Sequence, residues 1–568
     1  MREIMFLRAR LLTVFLVVST CLSSSAAPAP PAHDQFYVAI YITTDVVEQM
    51  KDPAWLQQSW DEISSQVKVD KVYIESYRRG VLADDASLET VKSFFKAHGV
   101  EVAGAIAFSH GPKGHDSTFS YTDPKQRAET LHISELTAQH FDEILLDDYF
   151  STNTTTESDI AAKGSESWSQ FRLHLMDEVS RDLVVGPARA VNPRVKVIIK
   201  YPNWYETYQN QGYDLDQEPK IFDGLYTGTE TREPSFARWG HLQPYESYEI
   251  VRYLDNVDPD HNGGGWIDTY GNRYIDRYAE QLWDTLLAKA PEIVLFEYGD
   301  LLSQPEAGDR QAWSALGTTF NYAGLEKWHD ATGSSTPINY ATVAGYSLSK
   351  VNAVLGKLGN PIGVASYKPY QSSGEDFLHN YLGMIGIPID LRPEFPTDAK
   401  MVLLTASAQF DPEIVGKIKA HLKAGGNVIV TSGLVKALQG KGIEQIAEIH
   451  IPGNMLTIPE HFTDLYSLPQ PVLTSIKQHL MADFPIQIDA PSLVSLFAYD
   501  NRTFVVESYR DQPTPVTVSV LGLAKRLRNL DSGEMVKAVA MKRSATTPQR
   551  TEFEIEVAPH SFVAFAEE

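Results

Sequence analysis

Cysteine is nearly absent from this chain of 568 residues, in which Cys21 is the only one. It falls within residues 1–32, where three arginines precede the apolar run Leu11–Val18 and small residues follow. This order is typical of a secretory signal peptide, so we predict a secreted or periplasmic protein. The mature chain would lack disulfides, a cysteine nucleophile and thiolate metal ligands. Lipid anchoring at Cys21 is the alternative, because the residues before it loosely resemble a lipoprotein box.

Positive charge is also in deficit. The chain has 49 Lys and Arg against 73 Asp and Glu, a formal net charge of −24. A field of this sign repels phosphate backbones, so we expect no nucleic-acid partner. Long apolar runs are missing too, since no stretch approaches the roughly 18 residues that a transmembrane helix needs. With 43% apolar residues, the composition is that of an ordinary folded protein without a transmembrane segment.

Several catalytic signatures are missing from the sequence. It contains no His-Glu-x-x-His and no Gly-x-Ser-x-Gly motif, which excludes the commonest zinc protease and serine hydrolase patterns. A zinc amidohydrolase barrel would carry His-x-His on its first strand, where this chain has Ile40–Thr43. No glycine-rich dinucleotide fingerprint follows the later strands. We therefore predict neither a metal nor an organic cofactor.

Short β-rich runs alternate with longer segments of helical period from Phe36 onward, which is typical of a parallel α/β sheet. Eight such units over roughly 280 residues match the size of a (β/α)8 TIM barrel, which we assign to residues 33–336. The predicted strands are Phe36–Thr44, Lys71–Tyr77, Glu101–Ser109, Glu143–Tyr149, Lys196–Tyr201, Phe222–Thr227, Gly265–Tyr270 and Glu292–Tyr298.

Two smaller domains are predicted after the barrel. Residues 337–469 carry alternating helices and strands, and Gly425 and Gly426 separate a helix from a buried strand. This pattern indicates a small α/β domain. Residues 470–568 contain short alternating strands bounded by turn residues, which indicates a C-terminal β-sandwich.

Acidic side chains follow six of the eight predicted barrel strands. In (β/α)8 enzymes the active site lies at the carboxyl ends of the strands. Asp147 and Asp148 follow the fourth strand, and alternation turns one toward the barrel axis without deciding which. We take Asp148 as the reacting group, with Asp147 supporting it, and Glu230 after the sixth strand as its partner. Asp268 and Glu297 form the alternative catalytic pair.

Polar and aromatic side chains beside these acids are candidates for binding substrate. Aromatic rings stack on the apolar face of a pyranose, and polar groups hold its hydroxyls. The predicted substrate-binding residues are Glu75, His110, Asp147, Lys200, Asn203, Trp204, Arg232 and Trp266. Structural readings stay open for several of them: Lys200 can simply bridge to Asp148, and Glu230 with Arg232 can form a surface ion pair.

Two carboxyl groups and aromatic rings at one barrel mouth are what cleavage of a glycosidic bond requires. We therefore predict a glycoside hydrolase acting on oligo- or polysaccharides, with Asp148 as nucleophile and Glu230 as general acid/base. Carboxyl groups about 5–5.5 Å apart would indicate retention of configuration, and about 6.5–9.5 Å inversion. The alternative is a glycan-binding protein without catalysis, in which Lys200 and Arg232 neutralise the acids.

The order of the three domains resembles the plan of the glycoside hydrolase family 42 β-galactosidases. Residues 374–389 and 422–433 are similar to the amidotransferase-like domain of that group, which often joins subunits into trimers. The resemblance implies that the second domain is non-catalytic and that the protein can form a homo-oligomer through it.

The barrel departs from the family 42 catalytic pattern. That family carries Asn-Glu as acid/base after strand four and a Glu nucleophile after strand seven, where this chain has Asp147-Asp148 and Asp268. An Asp after strand four paired with an acid after strand six looks more like the retaining α-galactosidase and α-fucosidase barrels. The resemblance therefore implies a retaining glycosidase. It does not imply that the substrate is the galactoside cleaved by family 42.

Overall fold

The computed structural model describes residues 33–568 except 237–239, 307, 309–315, 447–454, 458, 460 and 543–547. The predicted signal peptide, residues 1–32, lies outside the described residues, as does Cys21. Among the helices that are described, none has the length and apolar character needed to cross a bilayer.

Eight parallel strands close into a barrel, which confirms the predicted fold. Each strand pairs in parallel with the next along the chain, and β1 pairs with both β2 and β8. The strands are β1 (Tyr37–Ile42), β2 (Lys71–Arg78), β3 (Glu101–Ile106), β4 (Glu143–Leu146), β5 (Lys196–Tyr201), β6 (Gly224–Gly228), β7 (Asn262–Asp268) and β8 (Glu292–Phe296).

Helices follow the strands and surround the barrel. Their starts are set by capping side chains: the Asp123 carboxylate, for example, accepts hydrogen bonds from the N–H groups of Lys125 and Gln126. The main helices are Thr44–Gln49, Pro53–Ser64, Asp85–Ala97, Pro124–His140, Glu157–Lys163, Trp168–Val179, Gly186–Val191, Glu246–Val257, Ile275–Leu287, Tyr298–Leu301, Tyr322–Thr332 and Tyr340–Leu355.

The barrel interior is filled by side chains from alternating strand positions. Small and large residues share this core: Ala39, Tyr41, Tyr73, Ala103, Ala105, Leu145, Tyr226, Trp266 and Val294. Because side chains two positions apart lie on one face of a strand, Lys200 follows Ile198 inward and Asp147 follows Leu145. The alternation that packs the core therefore delivers charged groups to the carboxyl end of the barrel.

The second domain contains a parallel sheet in the order Ile389–Arg392, Val364–Tyr367, Met401–Leu404, Asn427–Thr431, Met455–Leu456. In chain order this is 2-1-3-4-5, the doubly wound arrangement of open α/β folds. Its helices include Leu378–Gly383, Ile414–Lys423 and Ser432–Ala437. The sequence pattern indicates three of these five strands and gives no signal for Ile389–Arg392 or Met455–Leu456.

Two antiparallel sheets form the C-terminal β-sandwich, as predicted. One contains Pro361–Ile362, Val494–Tyr499, Thr503–Ser508, Ser561–Glu567, Arg526–Asn529 and Met535–Lys537, and the other Ile486–Asp489, Thr514–Leu521, Arg550–Val557 and Ala540–Lys542. Helix Gln470–Leu480 comes directly before strand Ile486–Asp489 in the chain. Helix Tyr340–Leu355 packs on barrel helix Ile275–Leu287. The domain limits at 336 and 469 remain predictions.

Candidate active site

A cleft of about 720 Å³ opens at the carboxyl ends of the barrel strands. Nine of the predicted site residues line it together: Asp147, Asp148, Lys200, Trp204, Glu230, Arg232, Trp266, Asp268 and Glu297. The barrel therefore gathers side chains from strands β4 to β8 around one space. Glu75, His110 and Asn203 are not among the lining residues.

Lys200 lies at the centre of the charged groups and is 2% exposed. Its Nζ is 3.1 Å from Asp148 Oδ2, 3.0 Å from Glu230 Oε1 and 3.8 Å from Asp147 Oδ1. The same nitrogen lies 4.1 Å from the centre of the Trp266 ring. Burial alone would lower the pKa of Lys200, but the three carboxylates raise it above its usual value, so the side chain stays cationic.

Asp147 and Asp148 occupy different electrostatic environments although they are adjacent. Asp147 binds the buried guanidinium of Arg78 and accepts a hydrogen bond from the Asp148 N–H at 2.7 Å. Burial would raise the pKa of Asp147, but Arg78 and Lys200 hold it below its usual value. Burial raises the pKa of Asp148 to about 7, and the charges of Asp147 and Glu230 add to this effect while Lys200 opposes it. Asp148 is the acid of this pair that can hold a proton near neutral pH.

Glu230 is held by its backbone and by one of its two carboxylate oxygens. Asn203 donates a hydrogen bond to the Glu230 carbonyl at 2.6 Å, and Lys200 contacts Oε1. Within the described part of the chain, Oε2 accepts no hydrogen bond. A Cβ at Gly228 would lie 2.9 Å from that oxygen and 3.1 Å from the Pro202 Cα. Glycine at this position therefore lets Glu230 enter the cleft.

The alternative pair, Asp268 and Glu297, has different contacts. Arg232 donates a hydrogen bond to Asp268 Oδ2 at 2.7 Å, and burial raises the pKa of Asp268 against this attraction. Glu297 accepts hydrogen bonds from the Thr43 hydroxyl and the Gly299 N–H, both at 3.2 Å. It therefore caps the helix that begins at Tyr298. Asp268 is engaged in an ion pair and Glu297 in a helix cap.

Aromatic rings form part of the cleft wall. Trp266 is buried against Tyr41 and Phe296, with ring centres 4.9 and 5.2 Å away. The Lys200 ammonium group lies over its ring. Trp204 is half-buried, and its indole N–H meets no acceptor among the described residues. Trp204 thus contributes an aromatic side chain to the cleft wall, while its indole nitrogen is shielded from solvent.

Three predicted residues lie outside the cleft lining. Glu75 is fully buried behind it, where its carboxylate accepts hydrogen bonds from Tyr41, the Thr44 N–H and Arg78. Asn203 is buried and acts through the Glu230 carbonyl. His110 belongs to a short hairpin and stacks on Phe119 with ring centres 4.0 Å apart. These three residues therefore do not line the cleft; they contact residues around it.

Three residues that line the cleft were not among the predicted site residues. Arg78 ends β2, one residue beyond the predicted strand, and it holds both Glu75 and Asp147. Tyr149 and Tyr270 are the last residues of the predicted fourth and seventh strands, and both line the cleft. The signal that identifies all three residues is their place at a strand end.

The shared contact with Lys200 limits the distance between the two candidate catalytic acids. Since both carboxylates touch one nitrogen atom, Asp148 Oδ2 and Glu230 Oε1 lie no more than about 6 Å apart. Carboxyl pairs that retain configuration are about 5–5.5 Å apart, whereas inverting pairs need about 6.5–9.5 Å to admit a water molecule. The upper limit for this oxygen pair lies below the range of inverting pairs.

Comparisons with known proteins place this barrel among glycosidases. Residues 25–357 match the family model described as "Probable glycosyl hydrolase, catalytic domain", and residues 485–567 match "Probable glycosyl hydrolase, C-terminal domain". An uncharacterized protein of Saccharolobus solfataricus is 27% identical over 439 residues, which are 71% of this chain and 67% of that protein.

Solved structures with the same fold include two glycosidases. The α-L-fucosidase isoenzyme 2 from Paenibacillus thiaminolyticus is 12% identical, with a TM-score of 0.59 over 94% of this chain and 100% of that one. The GH42 β-galactosidase Gan42B from G. stearothermophilus is 10% identical, with a TM-score of 0.59 over 94% and 98%. The TM-scores show a shared fold, and the low identities limit the likeness to the fold. The expected resemblance to family 42 is confirmed for the fold.

Proposed function

Because the chain belongs to the probable glycosyl hydrolase family, we propose that it is a secreted glycoside hydrolase that cleaves oligo- or polysaccharides in the barrel cleft. The observation that carries the proposal is the contact of one ammonium group, Lys200 Nζ, with the carboxylates of Asp148 and Glu230. This contact keeps the two acids within reach of a single glycosidic bond.

We assign general acid/base catalysis to Asp148 and nucleophilic attack to Glu230, the reverse of the roles expected from the sequence. The raised pKa of Asp148 supports this assignment, because a protonated carboxyl can donate to the glycosidic oxygen. Its side chain is 17% exposed, so the leaving group and then water can reach it. Glu230 lines the same cleft, and its Oε2 accepts no hydrogen bond among the described residues.

The reaction would then proceed in two steps with retention of configuration. In the first, Glu230 forms a bond to the anomeric carbon while Asp148 gives its proton to the departing sugar oxygen. In the second, Asp148 takes a proton from water, which attacks the anomeric carbon and releases Glu230. Lys200 offsets the negative charge that moves between the two acids. Trp204 would stack on the sugar ring.

The decisive experiment combines a substrate panel with product stereochemistry. Purified protein and its Asp148→Asn variant would be incubated with aryl glycosides and polysaccharides, and released sugar measured. Activity that falls by about 10²-fold or more in the variant, with a first product of the substrate's own anomeric configuration by NMR, supports the proposal. Activity that is unchanged in the variant would move catalysis to Asp268 and Glu297. An inverted first product would contradict the retaining mechanism.

Glycan binding without turnover is the second candidate function. It is favoured by the ion pairs that engage the acids, since Lys200 contacts Asp148 and Glu230, and Arg232 contacts Asp268 at 2.7 Å. This function predicts that oligosaccharides quench tryptophan fluorescence while no sugar is released. A panel member that binds tightly and is not cleaved over days would favour it over hydrolysis.

We also propose export directed by residues 1–32 and self-association through residues 337–469. Export is tested by attaching residues 1–32 to a reporter that is active only outside the cytoplasm. Self-association is tested by light scattering of the purified protein. A strictly monomeric protein at micromolar concentration would contradict the second of these proposals.

A further inference from the structure

The carboxyl edge of the second domain's sheet is occupied by a side chain of the barrel. In doubly wound sheets, ligands bind in the crevice where strand order reverses, here between Val364–Tyr367 and Met401–Leu404. Lys368 follows the first of these strands and is 2% exposed. Its Nζ lies 2.5 Å from Glu206 Oε2, and Glu206 belongs to the barrel loop after β5. The barrel's own carboxylate therefore sits where a ligand would bind in such a fold.

Both oxygens of Glu206 are held by the second domain. Besides the contact of Oε2 with Lys368, Oε1 accepts a hydrogen bond from the Phe377 N–H at 2.9 Å. Glu206 is itself 2% exposed, so the pair is shielded from water. A buried carboxylate that gains an ammonium group and an amide donor is tightly fixed, because losing the ammonium group would leave an unpaired buried charge.

The second-domain segment that makes this contact is itself held in place. Glu375 and Phe377 have left-handed backbones with φ of 55° and 63°, which non-glycine residues adopt only where surrounding contacts maintain them. The Glu375 carboxylate supplies such contacts, accepting hydrogen bonds from the Ala406 N–H at 2.7 Å and the Thr431 hydroxyl at 2.5 Å. The Phe377 ring packs on the Tyr205 ring at 5.6 Å. The segment is thus anchored to its own sheet and pressed against the barrel loop.

The barrel loop held by this segment carries part of the cleft. Trp204, which lines the cleft, is two residues before Glu206, and Asn203 donates to the Glu230 carbonyl. A displacement of Glu206 therefore moves one wall of the cleft and loosens the backbone that carries Glu230.

We infer that Lys368 and Phe377 are positioning residues of the second domain that set the place of the Trp204 wall through Glu206. Neither residue lines the cleft, so each acts through the barrel loop. The catalytic consequence rests on the proposed hydrolase function, whereas the positioning itself does not. The second domain is thereby part of the functional unit of one chain.

The test uses full-length protein and a charge-neutral pair of substitutions. Lys368→Met alone leaves the Glu206 charge buried without its partner and can prevent folding. The double variant Lys368→Met/Glu206→Gln leaves no unpaired charge and keeps an acceptor for the Phe377 N–H. Phe377→Gly is a second variant that deletes the ring and tolerates the left-handed backbone. Lys400→Met, which removes an exposed ion pair with Asp483, is the matched control.

Hydrogen exchange of residues 203–210 is the primary measurement, since it needs no activity. We expect amides of this loop to exchange about tenfold faster or more in the double variant and in Phe377→Gly, with the control unchanged. For a cleaved substrate, KM should rise about tenfold while kcat falls less, because the loss is in binding to the Trp204 wall. Unchanged loop exchange in the folded variants would overturn the inference. Faster exchange without any hydrolysis by the wild type would instead contradict the proposed function alone.

Discussion

The ammonium nitrogen of Lys200, in β5, lies 3.0 Å from Oε1 of Glu230, which follows β6. Both side chains are almost fully buried, so the contact is little screened by solvent. The same nitrogen contacts Asp148, which makes it the link between the two candidate catalytic acids.

The assignment of Glu230 as nucleophile is testable with a small external anion. Glu230→Ala should abolish hydrolysis of aryl glycosides, because no group remains to attack the anomeric carbon. Added azide should enter the vacated space and yield a glycosyl azide of inverted configuration. Asp148→Ala should instead slow hydrolysis by about 10²- to 10⁴-fold, the range for loss of general acid/base catalysis. With azide it should give a product of retained configuration, and the opposite pattern would exchange the two roles.

The pH dependence of hydrolysis should report Asp148. An acid catalyst must be protonated, so kcat/KM should fall as the pH rises through about 7, the raised pKa of Asp148. Lys200 lowers that pKa, so Lys200→Met should move the basic limb to higher pH while reducing the maximal rate. Lys220→Met, an exposed substitution, is the control. A basic limb that stays in place in Lys200→Met would contradict the assignment.

The charge of the cleft should select against anionic sugars. Among its described lining residues, acidic side chains outnumber basic ones by eight to five. The acids are Asp45, Asp116, Asp147, Asp148, Glu230, Asp268, Glu297 and Asp300, and the bases are Arg78, Arg79, Lys113, Lys200 and Arg232. We expect neutral aryl glycosides to be hydrolysed with kcat/KM at least about tenfold above the matching aryl uronides, a difference that salt should reduce. Preferential cleavage of uronides would contradict this expectation.

Protein stability should fall as the pH rises through neutrality because of Asp284 on the outer helix Ile275–Leu287. Asp284 accepts a hydrogen bond from Tyr509 at 3.1 Å and interacts with the buried Glu507. Burial raises the pKa of Asp284 to about 7, whereas an unfolded Asp ionises near 3.9. The folded state therefore keeps a proton that the unfolded state releases, and this stabilisation is present below pH 4 and lost as the pH rises through 7.

Asp284→Asn should flatten that dependence, because an amide keeps a neutral group at every pH. Thermal unfolding between pH 5 and pH 8 should show a smaller decrease of Tm in the variant than in the wild type. The exposed substitution Asp531→Asn should leave the wild-type slope unchanged. Equal slopes in Asp284→Asn and the wild type would show that Asp284 does not hold the proton.

The barrel could be predicted in detail because its signal is local. All eight strands were found, since apolar β-rich runs between capped helices mark them. Lys196–Tyr201 matches the structure at both ends, and the other seven differ by a few residues at one or both ends. The strands Ile389–Arg392 and Arg526–Asn529 were missed. Each is only four residues long, and their charged and polar residues weaken the apolar signal. Short strands depend on their neighbours in the sheet for stability.

The candidate site was predicted in part for the same reason. Nine of its residues could be chosen because strand ends converge in a closed barrel. Alternation alone did not decide between Asp147 and Asp148; the packing of Leu145 inside the barrel sets that phase. Arg78 escaped notice because its partner, Asp147, is 69 residues away.

Local patterning along this chain thus specifies the number of strands, their order and which side chains end them, because hydrophobic period and capping act over a few residues. Closure of the barrel decides the rest. It places Lys200 between Asp148 and Glu230, and it pairs Asp268 with Arg232. It also buries Asp148 and Asp147 with different neighbours, so that adjacent carboxyls of the same chemistry acquire opposite pKa shifts. Such differences arise from distances through space and from exclusion of water, which only the folded chain creates.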